Sequence, residues 1–73
     1  MNGQQSQVEM VSAFDPYFYQ TLLSFKSKHI VIHTSKNPLQ GLLVTVMPDH
    51  VVVEVSGTPF YVRIQEIVWV TLA

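Results

Sequence analysis

A small β-barrel capped by one N-terminal helix is the fold class this sequence predicts, and three observations predict it. The apolar spacing changes from four and three residues over "FDPYFYQTLLSFK" to two residues from "KHIVIHT" onward, which is a helix followed by strands. Turn signals such as "SKNP", "PDH" and "SGTP" then recur at intervals of about eight to twelve residues, the rhythm of an all-β domain. Finally, a chain of 73 residues forms a single domain, and five short, strongly bent strands protect their edges best by closing on themselves.

The elements follow in order. Residues 1–13 are polar, rich in Gln and Ser and without a sustained period, and are expected to be a mobile arm; Val8, Met10 and Val11 offer one apolar triplet for docking on a neighbour. The single domain spans residues 14–73. A helix is expected over about 15–26, with Asp15 as its N-cap and Pro16 at the first helical position, where a missing N–H costs nothing. Phe14 and Tyr19 are placed to form a hydrophobic staple. Phe18, Leu22 and Phe25 share one face, and Lys26 and Lys28 sit near the negative end of the helix dipole. About ten residues make a marginal helix, stable only when that face is packed.

Strands are expected over about 28–34, 39–47, 50–56, 59–64 and 66–72. In the first, Ile30 and Ile32 oppose His29, Val31 and His33. In the second, Leu42, Val44 and Val46 alternate with Gly41, Leu43 and Thr45, and Gly41 marks a bend or bulge. Val51, Val53 and Val55 form the core side of the third. The fourth turns Phe60, Val62 and Ile64 inward and Tyr61 and Arg63 outward. "QE" leaves so short a connection that the fourth and fifth strands are expected to bend sharply into one another.

Composition narrows function more than it defines it. Hydrophobic residues make up 48% of the chain and charged residues 12%, against a usual charged share of about 25%. A chain this small buries only about 60% of the surface exposed when unfolded, so apolar area is left over for another molecule to cover. A homo-oligomer is the natural remedy. A net charge of −1 supplies no overall attraction to phosphate backbones, and Lys26, Lys28 and Lys36 read as a solvated helix end and loop. The chain has no cysteine, which leaves neither disulfide nor thiolate metal site. No basic start with an apolar h-region is visible, and no apolar run reaches the ~18 residues of a membrane span; a cytoplasmic, non-membrane protein is expected.

The order of motifs resembles the Sm-like barrel family, which includes the bacterial RNA chaperone Hfq: a helix, a strand, a Gly-containing strand running into "PDH", and "FYVRIQEIVWV" as the closing pair. Over about residues 20–72, "MPDHVVVEVSGTPFYVRIQEIVWV" is similar to the YuzF-type small proteins of spore-forming bacilli. The resemblance implies a five-stranded Sm-like barrel, a cytoplasmic or spore-related setting, and rings formed by the fourth strand of one subunit pairing with the fifth of the next. That pairing would make Phe60, Tyr61, Val62, Ile64, Ile67, Val68, Trp69 and Val70 the interface. Asp49 matches the Asp of the family's RNA-contacting loop, whereas Val52 and Val53 stand where Met and Asn would lie; Arg63 matches the family's Arg, but Ile64 follows it in place of Gly.

Chemistry-bearing residues are few. His29 and His33 lie four apart, but on a strand at ~3.3 Å per residue that separates them by about 13 Å, so they read as solvated strand histidines and no metal site is expected. Asp49 and His50 adjoin Pro48 in a turn. No Ser or Cys nucleophile accompanies them in a recognisable context, so they read as turn residues or ligand contacts and no catalytic residue is expected. Arg63 and Glu66 flank the last bend; Arg63 pairs locally or contacts an anionic ligand. Trp69, Tyr61, Tyr17 and Tyr19 offer aromatic faces without interleaved basic residues, which suits core and interface anchors better than a stacking surface for single strands. The expectation is a non-enzymatic, self-associating structural or interaction module with no cofactor and no small-molecule substrate. The alternative is an Sm-like ring binding single-stranded RNA through Asp49, His50, Arg63 and Lys36.

Overall fold

Proline at a first helical turn and an apolar pair four residues apart specify the first element of the computed structural model, which describes residues 16–73. Helix α1 runs Pro16–Ser24. Its Leu22 is fully buried, and Phe18, Tyr19 and Phe25 pack half-buried against the same core. The expected cap at Asp15 and the Phe14 half of the staple lie outside the described residues. The helix ends before Lys26 and Lys28, which fall in the turn and bend beyond it. Ser27 closes this turn at φ 70°, the left-handed conformation typical past a helix end, and its N–H donates to the Leu43 carbonyl at 2.7 Å.

Five strands follow: β1 (His29–Thr34), β2 (Pro38–Val46), β3 (His50–Val55), β4 (Thr58–Arg63) and β5 (Ile67–Leu72), with a 3₁₀ turn at Ile64–Glu66 between the last two. They form one antiparallel sheet in the order β4-β3-β2-β1-β5. Ile30, Ile32, Leu43, Val51 and Val53 are fully buried, and with Leu22 they form the centre of the core. Removing each such side chain from water stabilises the fold by about 1.5–3 kcal/mol. Val55, as expected, packs on the same side as Val51 and Val53.

Several sequence expectations need correction. The strict alternation expected for β2 is broken: the register shifts between Leu43 and Thr45, so Leu43 and Val46 both face the core while Val44 is left exposed. The irregularity is therefore at Val44, three residues past the glycine. Gly41 has a different task. A Cβ there would collide with the Glu54 carbonyl oxygen and meet the Val53 and Val55 side chains at 3.0 Å, so only glycine lets β3 fold this closely across β2.

The sheet is also not closed into a barrel. β4 and β5 are the two outer strands and do not pair with each other. Four antiparallel steps separate them, so they run in the same direction, and pairing consecutive strands in parallel needs a crossover of about a dozen residues. The three-residue turn at Ile64–Glu66 cannot supply it. It instead swings the chain across to β1, where Ser35 N–H donates to the Glu66 carbonyl at 3.1 Å and Ser35 Oγ to Glu66 Oε1 at 2.8 Å. Ile64, expected on the fourth strand, belongs to this turn, where its side chain is buried.

Candidate functional site

The tight turn between β2 and β3 and the 3₁₀ turn after β4 meet at one end of the sheet. Met47 N–H donates to the His50 carbonyl at 2.8 Å and closes the first turn; Ile64 N–H donates to the Asp49 carbonyl at 3.0 Å and joins the first turn to the second. Register does the rest. The Ser56–Gly57 reversal has φ of 52° and 82°, both positive as a two-residue type I′ hairpin requires, and it places Val55 opposite Thr58 and hence His50 opposite Arg63. Tyr61 lies diagonally across from His50, with ring centroids 6.2 Å apart and planes inclined at 31°.

These side chains, with Gln65, line an open cleft of about 400 Å³: Asp49, His50, Tyr61, Arg63 and Gln65. The three ligand-contact candidates from the sequence are thus brought together. Tyr61, which the sequence suggests as an interface anchor, joins them, as does Gln65, for which the sequence holds no local signal. The hairpin turn held the missing signal, because a two-residue reversal centred on Ser56–Gly57 sets every cross-strand partner of β3 and β4.

His50 Nδ1 lies 2.8 Å from Asp49 Oδ1. An ionised carboxylate only accepts, so the His50 Nδ1–H donates to Asp49. The hydrogen bond from His50 holds the Asp49 carboxyl below its ordinary value; slight burial opposes this, and its own backbone amide and the nearby positive charge of His50 and Arg63 add to it. The cleft therefore presents a carboxylate, a fixed imidazole, a guanidinium, an amide and an exposed phenol ring, all planar and polar.

The remaining candidates lie elsewhere. His29 and His33 are both on β1, and His33 sits opposite Trp69 with ring centroids 5.2 Å apart. Among the described residues no group of three or more His, Asp or Glu side chains is placed to hold a metal ion. Lys36 is in the β1–β2 turn and does not line the cleft. Of the expected interface set, Phe60, Tyr61, Val68 and Trp69 are exposed, Val62, Ile67 and Val70 are half-buried against the core, and Ile64 is buried. Leu72, absent from that set, is 46% exposed at the end of β5. No helix among the described residues is long and apolar enough to cross a membrane.

A helix followed by a five-stranded antiparallel sheet is the form taken here by a family known by its sequences: residues 9–71 match the family described as Domain of unknown function (DUF2642), and the chain belongs to it. The chain is also similar to the protein named "Uncharacterized protein YuzF" of Bacillus subtilis (strain 168), 35% identical over 68 residues that cover 92% of this chain and 87% of the relative. No solved structure matches.

Proposed function

We propose that this chain is a non-enzymatic structural or interaction module that self-associates through its terminal strands, in the cytoplasm or spore of a bacillus-type cell. One observation carries the reading. Among the described residues no strand pairs along the outer edge of β4 or of β5, and together these strands expose Phe60, Tyr61, Val68, Trp69 and Leu72 on a chain that is only 12% charged. Unpaired strand edges are templates for pairing with another chain, and proteins that remain monomeric blunt them with charge or proline. β5, "IVWVTL", carries neither. An Sm-like assembly, in which β4 of one copy meets β5 of the next, agrees with the strand order and with the open edges. The relative from Bacillus subtilis supports the bacillus-type cell of this reading. Sedimentation velocity across a hundredfold concentration range tests the reading: a rising mean mass is expected, and a strict monomer throughout removes it.

A second reading, a ring that binds single-stranded RNA, is favoured by the cleft, which gathers Asp49, His50 and Arg63 beside the exposed Tyr61 ring. A guanidinium and a phenol ring are suited to a phosphate and a stacked base respectively. It is tested by titrating a uridine-rich oligonucleotide at low salt; binding that weakens with salt and is lost in Arg63→Gln supports it, and no binding at low salt excludes it.

A further inference from the structure

The cleft beside the β2–β3 turn has a definite pattern of donors and acceptors, all of it supplied by one chain. Its acceptor is Asp49, whose side chain is 86% exposed and whose Oδ1 is held by the His50 ring at 2.8 Å. A carboxylate has about four lone-pair sites, so this one bond orients the group without using it up. Its donor is Arg63, which opposes His50 across the β3–β4 ladder. The local partner that the sequence offers Arg63 is Glu66, but that carboxylate accepts from Ser35 Oγ at 2.8 Å instead. Among the described residues the guanidinium has no hydrogen-bond or ion-pair partner. It is nevertheless near enough for its charge to favour the ionised form of Asp49. Tyr61 adds a flat apolar face, 74% exposed and one diagonal step from His50.

An acceptor-only group beside a donor-only group selects a ligand that offers both kinds of atom along one edge. The exposed ring favours a planar ligand over a tetrahedral ammonium or phosphate. Of the common nucleobases, guanine alone sets two adjacent N–H donors, at N1 and N2, beside the acceptors O6 and N7. Uracil has a carbonyl on each side of its single N–H and so turns an acceptor toward Asp49. Cytosine and adenine offer one amino group next to a ring-nitrogen lone pair. Val52 and Val53, at the places where the Sm resemblance has Met and Asn, are both buried and bring no amide to the cleft. The cleft of about 400 Å³ lies low in the range of ligand sites, about 300–1,000 Å³, a size suited to a single base.

We propose that this cleft binds an unpaired guanine base: the Asp49 carboxylate accepts from N1–H and the N2 amino group, the Arg63 guanidinium donates to O6 and N7, the Tyr61 ring stacks on the base, and His50 holds the carboxylate in place. The site is complete in one subunit and does not depend on self-association. It shares its position with the RNA reading above and differs from it in the base selected. A free guanine nucleotide and a guanine in a single strand present the same edge.

Nuclear magnetic resonance titration of the full chain with the 5′-monophosphates of guanosine, inosine, adenosine, cytidine and uridine tests this. Guanosine monophosphate is expected to move the His50, Tyr61 and Arg63 signals. It is expected to bind at least about tenfold more tightly than uridine monophosphate or inosine monophosphate, which lacks only the N2 amino group. Asp49→Asn, at an exposed position, is expected to bring the guanosine-to-inosine ratio close to one, whereas Arg63→Gln weakens both ligands alike. The ratio in the unsubstituted chain needs no variant to fold. A short uridine strand carrying one guanine separates the sources: tighter binding than the mononucleotide places the base in a single strand, and no tighter binding places it in a free nucleotide. Equal binding of all five mononucleotides marks a phosphate contact alone and overturns the inference, as does the absence of any shift. An all-uridine strand that binds as well as the guanine-bearing one overturns it too and leaves the RNA reading standing. If neither strand binds while guanosine monophosphate does, the RNA reading falls and this one stands.

Discussion

Gly41 and Ser56 are small residues whose places in the fold have opposite consequences. At Gly41 the backbone of β3 passes so close that a methyl group has nowhere to go. Gly41→Ala is expected to lower stability by about 1–3 kcal/mol, measured by urea denaturation, because the obstacle is main chain and cannot rotate away. Ser56 is the first residue of a type I′ turn at φ 52°, a conformation that costs a serine more than an asparagine. Ser56→Asn is expected to raise stability by about 0.5 kcal/mol in the same assay. Asp49 adds a pH dependence. Its carboxyl is held below its unfolded value, chiefly by His50, so the stabilisation is present above the unfolded value and is lost as pH falls through the lower folded one. Asp49→Asn is expected to flatten that acidic limb in a plot of melting temperature against pH, and the effect is small because the group is exposed.

Among the elements, α1 and β5 each leave a requirement that their own residues do not meet. Nine residues of helix are marginal in water, and α1 persists because Leu22, Phe18 and Phe25 pack on the sheet. Its end is a weak point, since Ser27 occupies the left-handed position that glycine fills without strain. Ser27→Gly is expected to stabilise the protein by up to about 1 kcal/mol, read as a shift in the urea midpoint at unchanged slope. β5 has the reverse difficulty. It folds well, being β-branched and aromatic, but "IVWVTL" has neither charge nor proline to discourage another strand from pairing with its outer side, only the register irregularity at Val68. Val68, 64% exposed there, is the natural place to introduce a charge. Val68→Lys is expected to keep the melting temperature within a few degrees and to reduce the mean mass in sedimentation.

For the molecule as a whole, the apolar excess counted in the composition reappears at definite places: Phe60, Tyr61, Val68, Trp69 and Leu72 on the outer strands, Tyr17 and Leu23 on α1, and Val44 and Met47 on and just beyond β2. The helix, the five strands and the core face of β3 were all legible, because each follows from local spacing: Leu22 four residues after Phe18, Val51, Val53 and Val55 two apart, a turn residue at each reversal. The exposed Val44 was not, since a bulge leaves no local mark when every neighbour is apolar. Half of the cleft was legible as well. Asp49, His50 and Arg63 stand out as chemistry-bearing residues in a nearly uncharged chain, whereas Gln65 acquires meaning only from the turn that brings it beside them.

What the order of residues settled is therefore whatever depends on neighbours within a few positions: periodicity, turns, and the greasiness of the last fourteen residues. Whether the strands close on themselves was beyond its reach. That outcome depends on the direction in which β4 and β5 run after four successive antiparallel pairings, and on a three-residue turn too short to bring them together. The sheet stays open for that topological reason, which leaves the outer edges of β4 and β5 without a partner strand among the described residues.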